Sequence, residues 1–516
     1  MISVSNVAHL DEVCHRFVVL RGDTTHSVLR VSVSSESQPE IVQWSEAVVA
    51  PPCSAGSASS WLGWVAGLAA PAATPSPAPE ERTDWCAVVE LFPGKNTLMI
   101  ASHENADQGV EQEAVSLQLV CASGHDVHGQ GSVVRLVYLI AKDGDGTFQV
   151  PREDGGDFDH LGCSTSSSLD SGLRRLRTCG GLIQSALGEL LIRHELWADE
   201  LQNGNTRRSF ALDPEPVAFR STKTTAELHA MDGHALWSFF YEELHAYIAG
   251  PFVYVAVMSF TRFDRVSQKV LAHTALGGGA LALFGGGSLF TWPESVTEVA
   301  ARFLDNRAFD AHELFKDNSG IRGSDASTTI GAMLHELCHC FGCAHLTGAA
   351  LQEAPDSIMQ RGFDHLRLLF LPDGCVSGTI PVLDRSNAVK LALHPCVRPR
   401  RTIRKRHVDD TSTSDLFEVI ERPEKCGIQM QREALLLQPQ SRRILAFAPT
   451  GIRYIGLYVD GDCAGHIEPP WMAKCILSVD CTTLRTLCAV PAAKACRVEL
   501  ISDSGSCCEL TLEPDD

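Results

Sequence analysis

His335-Glu336-Leu337-Cys338-His339-Cys340-Phe341-Gly342-Cys343-Ala344-His345 sets three imidazoles, a carboxylate and a glycine at fixed spacings. His335 and His339 are four residues apart, about 400° of rotation on an α-helix. Both rings therefore leave the same face, one turn apart. Two neutral imidazoles so placed grip one Zn²⁺ at roughly 2.0–2.1 Å. Glu336 lies beside such an ion without having to bind it. There its carboxylate takes a proton from water at the metal and passes it to a departing amine. Gly342 stands three residues past His339, where a helix ends in a left-handed turn that glycine adopts without strain. The turn swings His345 back as a third ligand. Three protein ligands leave a fourth position open, which marks a catalytic rather than a structural zinc site.

Three further His-Glu pairs serve as internal controls: His103-Glu104, His194-Glu195 and His312-Glu313. None has a histidine three residues after its glutamate. The extended string resembles the elongated zinc motif of the metzincin metallopeptidases. That resemblance implies a methionine turn beneath the metal, downstream of the third histidine. In Asp356-Ser357-Ile358-Met359-Gln360-Arg361-Gly362, Met359 fills that place, in a chain with only 8 methionines. The competing reading of Met359 is an ordinary core side chain.

At 516 residues the chain exceeds what one core usefully fills, so two or three domains are expected. A net charge of -20 argues against broad binding of nucleic acid or anionic membrane. The start, Met1 to Asn6, has neither a basic nor an apolar leader pattern. Val270 to Trp292 holds His273 and two glycine triplets, which suits buried strand and loop rather than a membrane span. The 19 cysteines show no framework spacing and read as reduced thiols of a cytoplasmic protein. The basic run 398–406 is a solvated linker or a nuclear-targeting patch.

The expected fold class is multidomain α/β plus β. Residues 1–165 form a β-rich, antiparallel sandwich-like region with a flexible insertion at 50–83. Its strands are Phe17–Leu20, Val28–Val33, Ala87–Leu91, Val115–Val120 and Val133–Ile140. Lys142 to Gly146 reads as a hairpin turn rather than a calcium loop. Residues 166–397 form an α/β zinc peptidase domain. It has a helix from about Leu173, a strand at Pro251–Phe260 and a helix at Pro293–Leu304. A metal-binding helix follows, capped by hydroxyls at Ser327–Thr329. A sheet edge near Leu281–Leu289 is expected to hold substrate by strand addition. A basic linker, 398–414, leads to a C-terminal β-rich domain, 415–516.

Several segments in order along the chain resemble the eukaryotic "putative zinc metalloproteinase" family. They are Leu91–Asn96, Lys142–Phe148, Phe219–Thr224, Leu276–Gly279, Phe284-Gly285, Trp292-Pro293, the zinc string and Ser357–Met359, spanning roughly 85 to 396. The resemblance implies a metzincin-type zinc endopeptidase with Glu336 as base, His335, His339 and His345 as ligands of one Zn²⁺, and Gly342 and Met359 in support. It implies a peptide or protein substrate. Some members carry a C-terminal jacalin-like domain, which here would take a glycan or protein ligand. Cys338 and Cys343 stand where the family commonly has glycine and proline. With Cys340, they raise the prospect of a thiolate competing for the metal or being oxidised. No tyrosine closely follows Met359 to serve as an oxyanion donor. The rival readings are a latent zinc-bearing scaffold and a structural zinc closed by Cys338 or Cys343.

Overall fold

The computed structural model describes residues 2–8, 11–26, 28–50, 83–102, 114–121, 132–151, 158–159, 161–194, 196, 208–248, 250–308, 320–397, 418–419, 436–440, 443–448, 451–469, 476–503 and 505–514. Residues 51–82 of the expected insertion and the whole basic linker lie outside that set.

The first strands are β1 (Asp11–Val13), β2 (Phe17–Thr24), β3 (Leu29–Ser35), β4 (Gln38–Glu46), β5 (Val48–Val49), β6 (Thr83–Glu90), β7 (Gly94–Ser102) and β8 (Ala114–Cys121). They form a five-stranded sheet, β1-β8-β7-β3-β4, and a three-stranded one, β2-β6-β5. The period of two decides their roles. Val18, Leu20, Trp85, Ala87 and Val89 pack with Val31, Val33, Leu98 and Ile100 between the two sheets. Phe17, Val19, Cys86 and Val88 leave the opposite face of β2 and β6 and enter the central core. A strand buried on both faces needs the continuous apolar run seen in Phe17–Leu20. Pairing is antiparallel except where β1 joins β8 in parallel.

The strand β9 (Val133–Ile140) is not part of this sandwich, contrary to the sequence expectation. It pairs in parallel with β10 (Leu212–Arg220) and β11 (Phe252–Met258) in the central sheet, β10-β9-β11-β15-β14. A parallel partner rules out a hairpin after β9. In the 142–146 segment, Asp143 instead accepts hydrogen bonds from the Thr225 amide and hydroxyl.

One face of the central sheet (Leu136, Tyr138, Val255, Val257 and Phe284) packs on α1 (Leu169–Ile192), capped by the Ser168 hydroxyl. The other (Leu139, Tyr254, Met258 and Leu283) packs on Leu236, Phe240 and Leu244. Those three come from α3 (Gly233–Tyr247), which follows the single-turn α2 (Thr225–His229). A small hairpin, β12 (Arg262–Asp264) with β13 (Lys269–Leu271), leads into β14 (Ala275–Gly278) and β15 (Leu281–Gly285).

Three expectations are revised here. β15 is hydrogen-bonded on both sides, to β11 and β14, so among the described residues β14 is the edge strand, and residues 286–291 form a 3₁₀ turn. The helix expected from Pro293 is shorter. Ser295 is extended, a 3₁₀ turn covers Val296–Glu298, and α4 covers Val299–Leu304. The motif helix α5 begins at Arg322, not at the hydroxyls, and covers Arg322–Cys340. Inside it, Ser327 donates to the Asp364 carbonyl at 2.8 Å and Thr329 to the Asp325 carbonyl at 2.7 Å. Polar side chains satisfied this way sit in a helix interior without ending it.

After α5 come the short α6 (Gly348–Glu353), a 3₁₀ segment (Arg361–Leu369) and α7 (Arg385–Leu393). The last part holds β16 (Glu418–Val419), β17 (Leu436–Gln440), β18 (Arg443–Phe447), β19 (Ile452–Val459), β20 (Asp462–Ile467), β21 (Ile476–Asp480), α8 (Cys481–Leu487), β22 (Cys496–Ser502) and β23 (Cys507–Leu512). Its two four-stranded sheets, β16-β21-β18-β17 and β20-β19-β22-β23, enclose Ile455, Leu457, Val479, Leu484, Val498 and Leu500. Among the described residues no helix is long and apolar enough to cross a membrane.

Candidate active site

Helix α5 delivers two imidazoles and a carboxylate to one cleft, and its C-terminus delivers the third imidazole. Helix α5 ends in a Schellman turn. The Gly342 amide donates to His339 O and the Cys343 amide to Cys338 O, each at 3.0 Å. Gly342 sits at φ +82°, the left-handed region where a side chain is strained. The reversal brings His345 back over the helix.

The three Nε2 atoms then face one another: His335–His339 at 3.1 Å, His339–His345 at 3.2 Å and His335–His345 at 3.2 Å. The opposite ring atoms fix the tautomers. His335 Nδ1 lies 2.8 Å from the Ile358 carbonyl and His339 Nδ1 lies 3.0 Å from the Cys343 carbonyl. A carbonyl only accepts, so both Nδ1 atoms carry the proton and both Nε2 lone pairs point inward. His345 Nδ1 faces Asp462 Oδ1 at 3.8 Å, which favours the same tautomer. Three lone pairs converging on one point repel one another unless a cation lies among them. Tetrahedral bonds of roughly 2.0–2.1 Å call for nitrogen separations of about 3.3 Å. The residues therefore fit a zinc ion. Burial pushes the His335 ring down to about 3 and also lowers His339, which keeps both neutral as ligands must be.

Among the described residues no fourth His, Cys, Asp or Glu joins these three as a ligand. Cys338, Cys340 and Cys343 are buried; desolvation pushes the Cys340 thiol up to about 12 and Cys343 up as well. None of the three belongs to the convergent metal-binding atoms, and all three are packing groups.

Glu336 projects beside the histidines toward the sheet edge. Its carboxylate accepts the Gly277 amide of β14, and burial pushes its pKa up to about 7. Met359 is fully buried, one residue after the carbonyl that orients His335. The Met359 turn is pinned by its own amide on the Ser357 hydroxyl at 3.2 Å and by Ser357 on Asp384 at 2.9 Å.

Beside the metal site lies a cleft of about 360 Å³, lined by His339, Gly342 and His345 on one side and by Gly461, Asp462, Arg497 and Glu509 on the other. The second wall comes from the C-terminal sheets. Nothing in the sequence marked Asp462 or Arg497 for this place. Gly277 had a signal, since it belongs to a glycine triplet, but no role could be read from it.

The fold thus brings three histidines into a cluster able to hold a metal ion, beside a mixed α/β sheet. The chain belongs to the "Putative peptidase family", whose model matches residues 1–415. It is 26% identical over 353 residues to a "Putative zinc metalloproteinase" of Schizosaccharomyces pombe, covering 60% of this chain and 51% of that protein. A second "Putative zinc metalloproteinase", from Saccharomyces cerevisiae, is 26% identical over 437 residues, covering 74% and 56% respectively. The chain spans about half the length of these curated relatives. Among solved structures, catalytically inactive OgpA from Akkermansia muciniphila, in complex with an O-glycopeptide substrate, aligns at a TM-score of 0.36 and 13% identity. That alignment covers 74% of this chain and 92% of OgpA, and at that score nothing is carried over from it.

Proposed function

We propose that the chain is a zinc-dependent metalloendopeptidase of metzincin type. The observation that carries this is the convergence of three Nε2 atoms within 3.2 Å of one another, with Glu336 one residue along the same helix. His335, His339 and His345 hold the zinc. When bound, zinc supplies Lewis-acid polarisation of the scissile carbonyl and makes water acidic enough to act near neutral pH.

The rest is the protein's work. The Glu336 carboxylate takes the proton from the attacking water and returns it to the departing amine. A carboxylate held within reach of that water can serve as base in one step and as acid in the next. The Gly277 amide holds that carboxylate in one orientation. The edge strand β14 lies next to it, and an extended peptide added there as a further strand would run alongside Glu336. That moves the strand-addition site from the expected Leu281–Leu289 region to Ala275–Gly278. The half-exposed His345 and the open cleft favour catalysis over a buried structural zinc.

The test is metal exchange. Chelation should abolish cleavage of a mixed peptide library, one equivalent of zinc should restore it, and a hydroxamate should block the restored activity. Cleavage that survives complete zinc removal would refute the assignment.

A further inference from the structure

The family model ends at residue 415, yet the structure ties the third histidine to residues beyond it. Three observations coincide at that contact. The His345 carbonyl accepts the Cys463 amide at 2.8 Å, and the Thr347 amide donates to the Cys463 carbonyl at 2.9 Å, so Leu346 and Cys463 pair as a parallel bridge. The Asp462 carboxylate faces the His345 ring, its Oδ1 lying 3.8 Å from Nδ1. Behind the strand, Leu346, Tyr458 and Cys463 form a small buried cluster. On its other side the same loop is tied to the methionine turn, Gln360 Nε2 donating to the Leu346 carbonyl at 3.1 Å.

The other two ligands need no such help. His335 and His339 are oriented by carbonyls belonging to their own helix end and to the methionine turn. His345 lies past the helix end, and among the described residues no carbonyl accepts from its ring. A ligating imidazole whose outer N–H lacks an acceptor is a poorer and less well aimed donor. A cation on Nε2 would polarise Nδ1–H, and the Asp462 carboxylate at 3.8 Å would be the acceptor beside it.

We infer that the C-terminal β unit completes the metal site. Asp462 is the positioning residue for His345, and docking of strand β20 on residues 345–347 is coupled to metal binding. The inference rests on the three histidines being the ligands. It goes further in assigning a role in metal affinity to residues outside the family-matched region. By reciprocity, whatever the docked unit adds to zinc affinity, zinc adds to docking.

Zinc affinity, measured by competition with a chromogenic chelator, tests this without any substrate. Asp462→Ala should bind zinc about 10- to 100-fold more weakly than the wild type. Asp462→Asn, which keeps an acceptor oxygen, should recover most of that loss. Asp460→Asn, two residues away in an exposed pair with Lys494, should leave affinity unchanged. Zinc should also slow hydrogen exchange at the Cys463 and Thr347 amides. Wild-type affinity in Asp462→Ala, or zinc-independent exchange at both amides, would overturn the inference. His339→Ala separates the two levels: if it binds zinc as the wild type does, the ligand assignment itself is wrong and the inference falls with it.

Discussion

Gly277 and Glu336 touch backbone to backbone: a methyl group on Gly277 would stand 2.0 Å from the Glu336 carbonyl oxygen. This contact sets how close the β14 edge comes to the Glu336 carboxylate, which also interacts with the Gly277 backbone amide. Gly277→Ala must therefore push β14 off helix α5. The expected result is a stability loss of about 1–3 kcal/mol and turnover lower by about a hundredfold, with one zinc still bound. Denaturant titration and steady-state kinetics on the same preparation check both parts.

Gly342 separates backbone strain from crowding. At φ +82° a side chain is strained, yet the nearest atoms to an added methyl are Lys390 Cε and Nζ at 3.9 Å. Gly342→Ala should cost about 1–2 kcal/mol from conformation alone. Gly342→Asn should cost less, because asparagine tolerates the left-handed region. Zinc affinity should fall in the same order, since the turn aims His345; chelator competition reads it.

Lys390 and Glu499 form a buried pair between α7 and β22, 2.8 Å apart, with Tyr458 also accepting from the ammonium at 2.9 Å. Lys390→Met leaves the Glu499 carboxylate buried without its cation. That should cost about 3–5 kcal/mol, and adding Glu499→Gln should return much of it. Equilibrium unfolding of the single and double variants decides whether this pair holds the C-terminal unit in place.

In the metal-free protein His394 should add to the acid sensitivity that the lowered His335 and His339 rings already confer. Burial, reinforced by the positive charge of Lys390, pushes the His394 ring down to about 4, and its Nδ1 accepts the Cys396 amide at 3.2 Å. Protonation would turn that acceptor into a donor. Between pH ~6.5 and ~4 the unfolded chain binds a proton that the folded one refuses, so stability rises with pH across this window and falls as the medium is acidified. The contribution amounts to about 3 kcal/mol across the window. His394→Gln should flatten the pH dependence of urea unfolding between those limits, relative to the wild type; an unchanged slope would contradict the assignment.

The histidine cluster was legible because a helix repeats: the four-residue step from His335 to His339 fixes two rings on one face before any tertiary contact forms. Gly342 was legible for a related reason, since few residues other than glycine suit the left-handed position that ends α5. Long-range placements were not legible. Val133–Ile140 has the same apolar pattern whether it joins a sandwich or the middle of a parallel sheet. Its partners are chosen by α1 and by the crossover to β10, not by its own residues. The hydroxyls of Ser327 and Thr329 look like a cap, but both are satisfied by carbonyls inside the fold. Asp462 lies more than a hundred residues from the motif, and its place beside His345 depends on how α7 and β19 pack.

The proposed peptide hydrolysis depends on the Glu336 carboxylate. Cleavage of a mixed peptide library should be measured for zinc-loaded wild type and Glu336→Ala side by side, with zinc content determined for each. One zinc per chain is expected in both, with turnover in the wild type and a loss of about 10²- to 10⁴-fold in the variant. Equal turnover in the two proteins, or no turnover in a wild type carrying its zinc, would contradict the proposed hydrolysis.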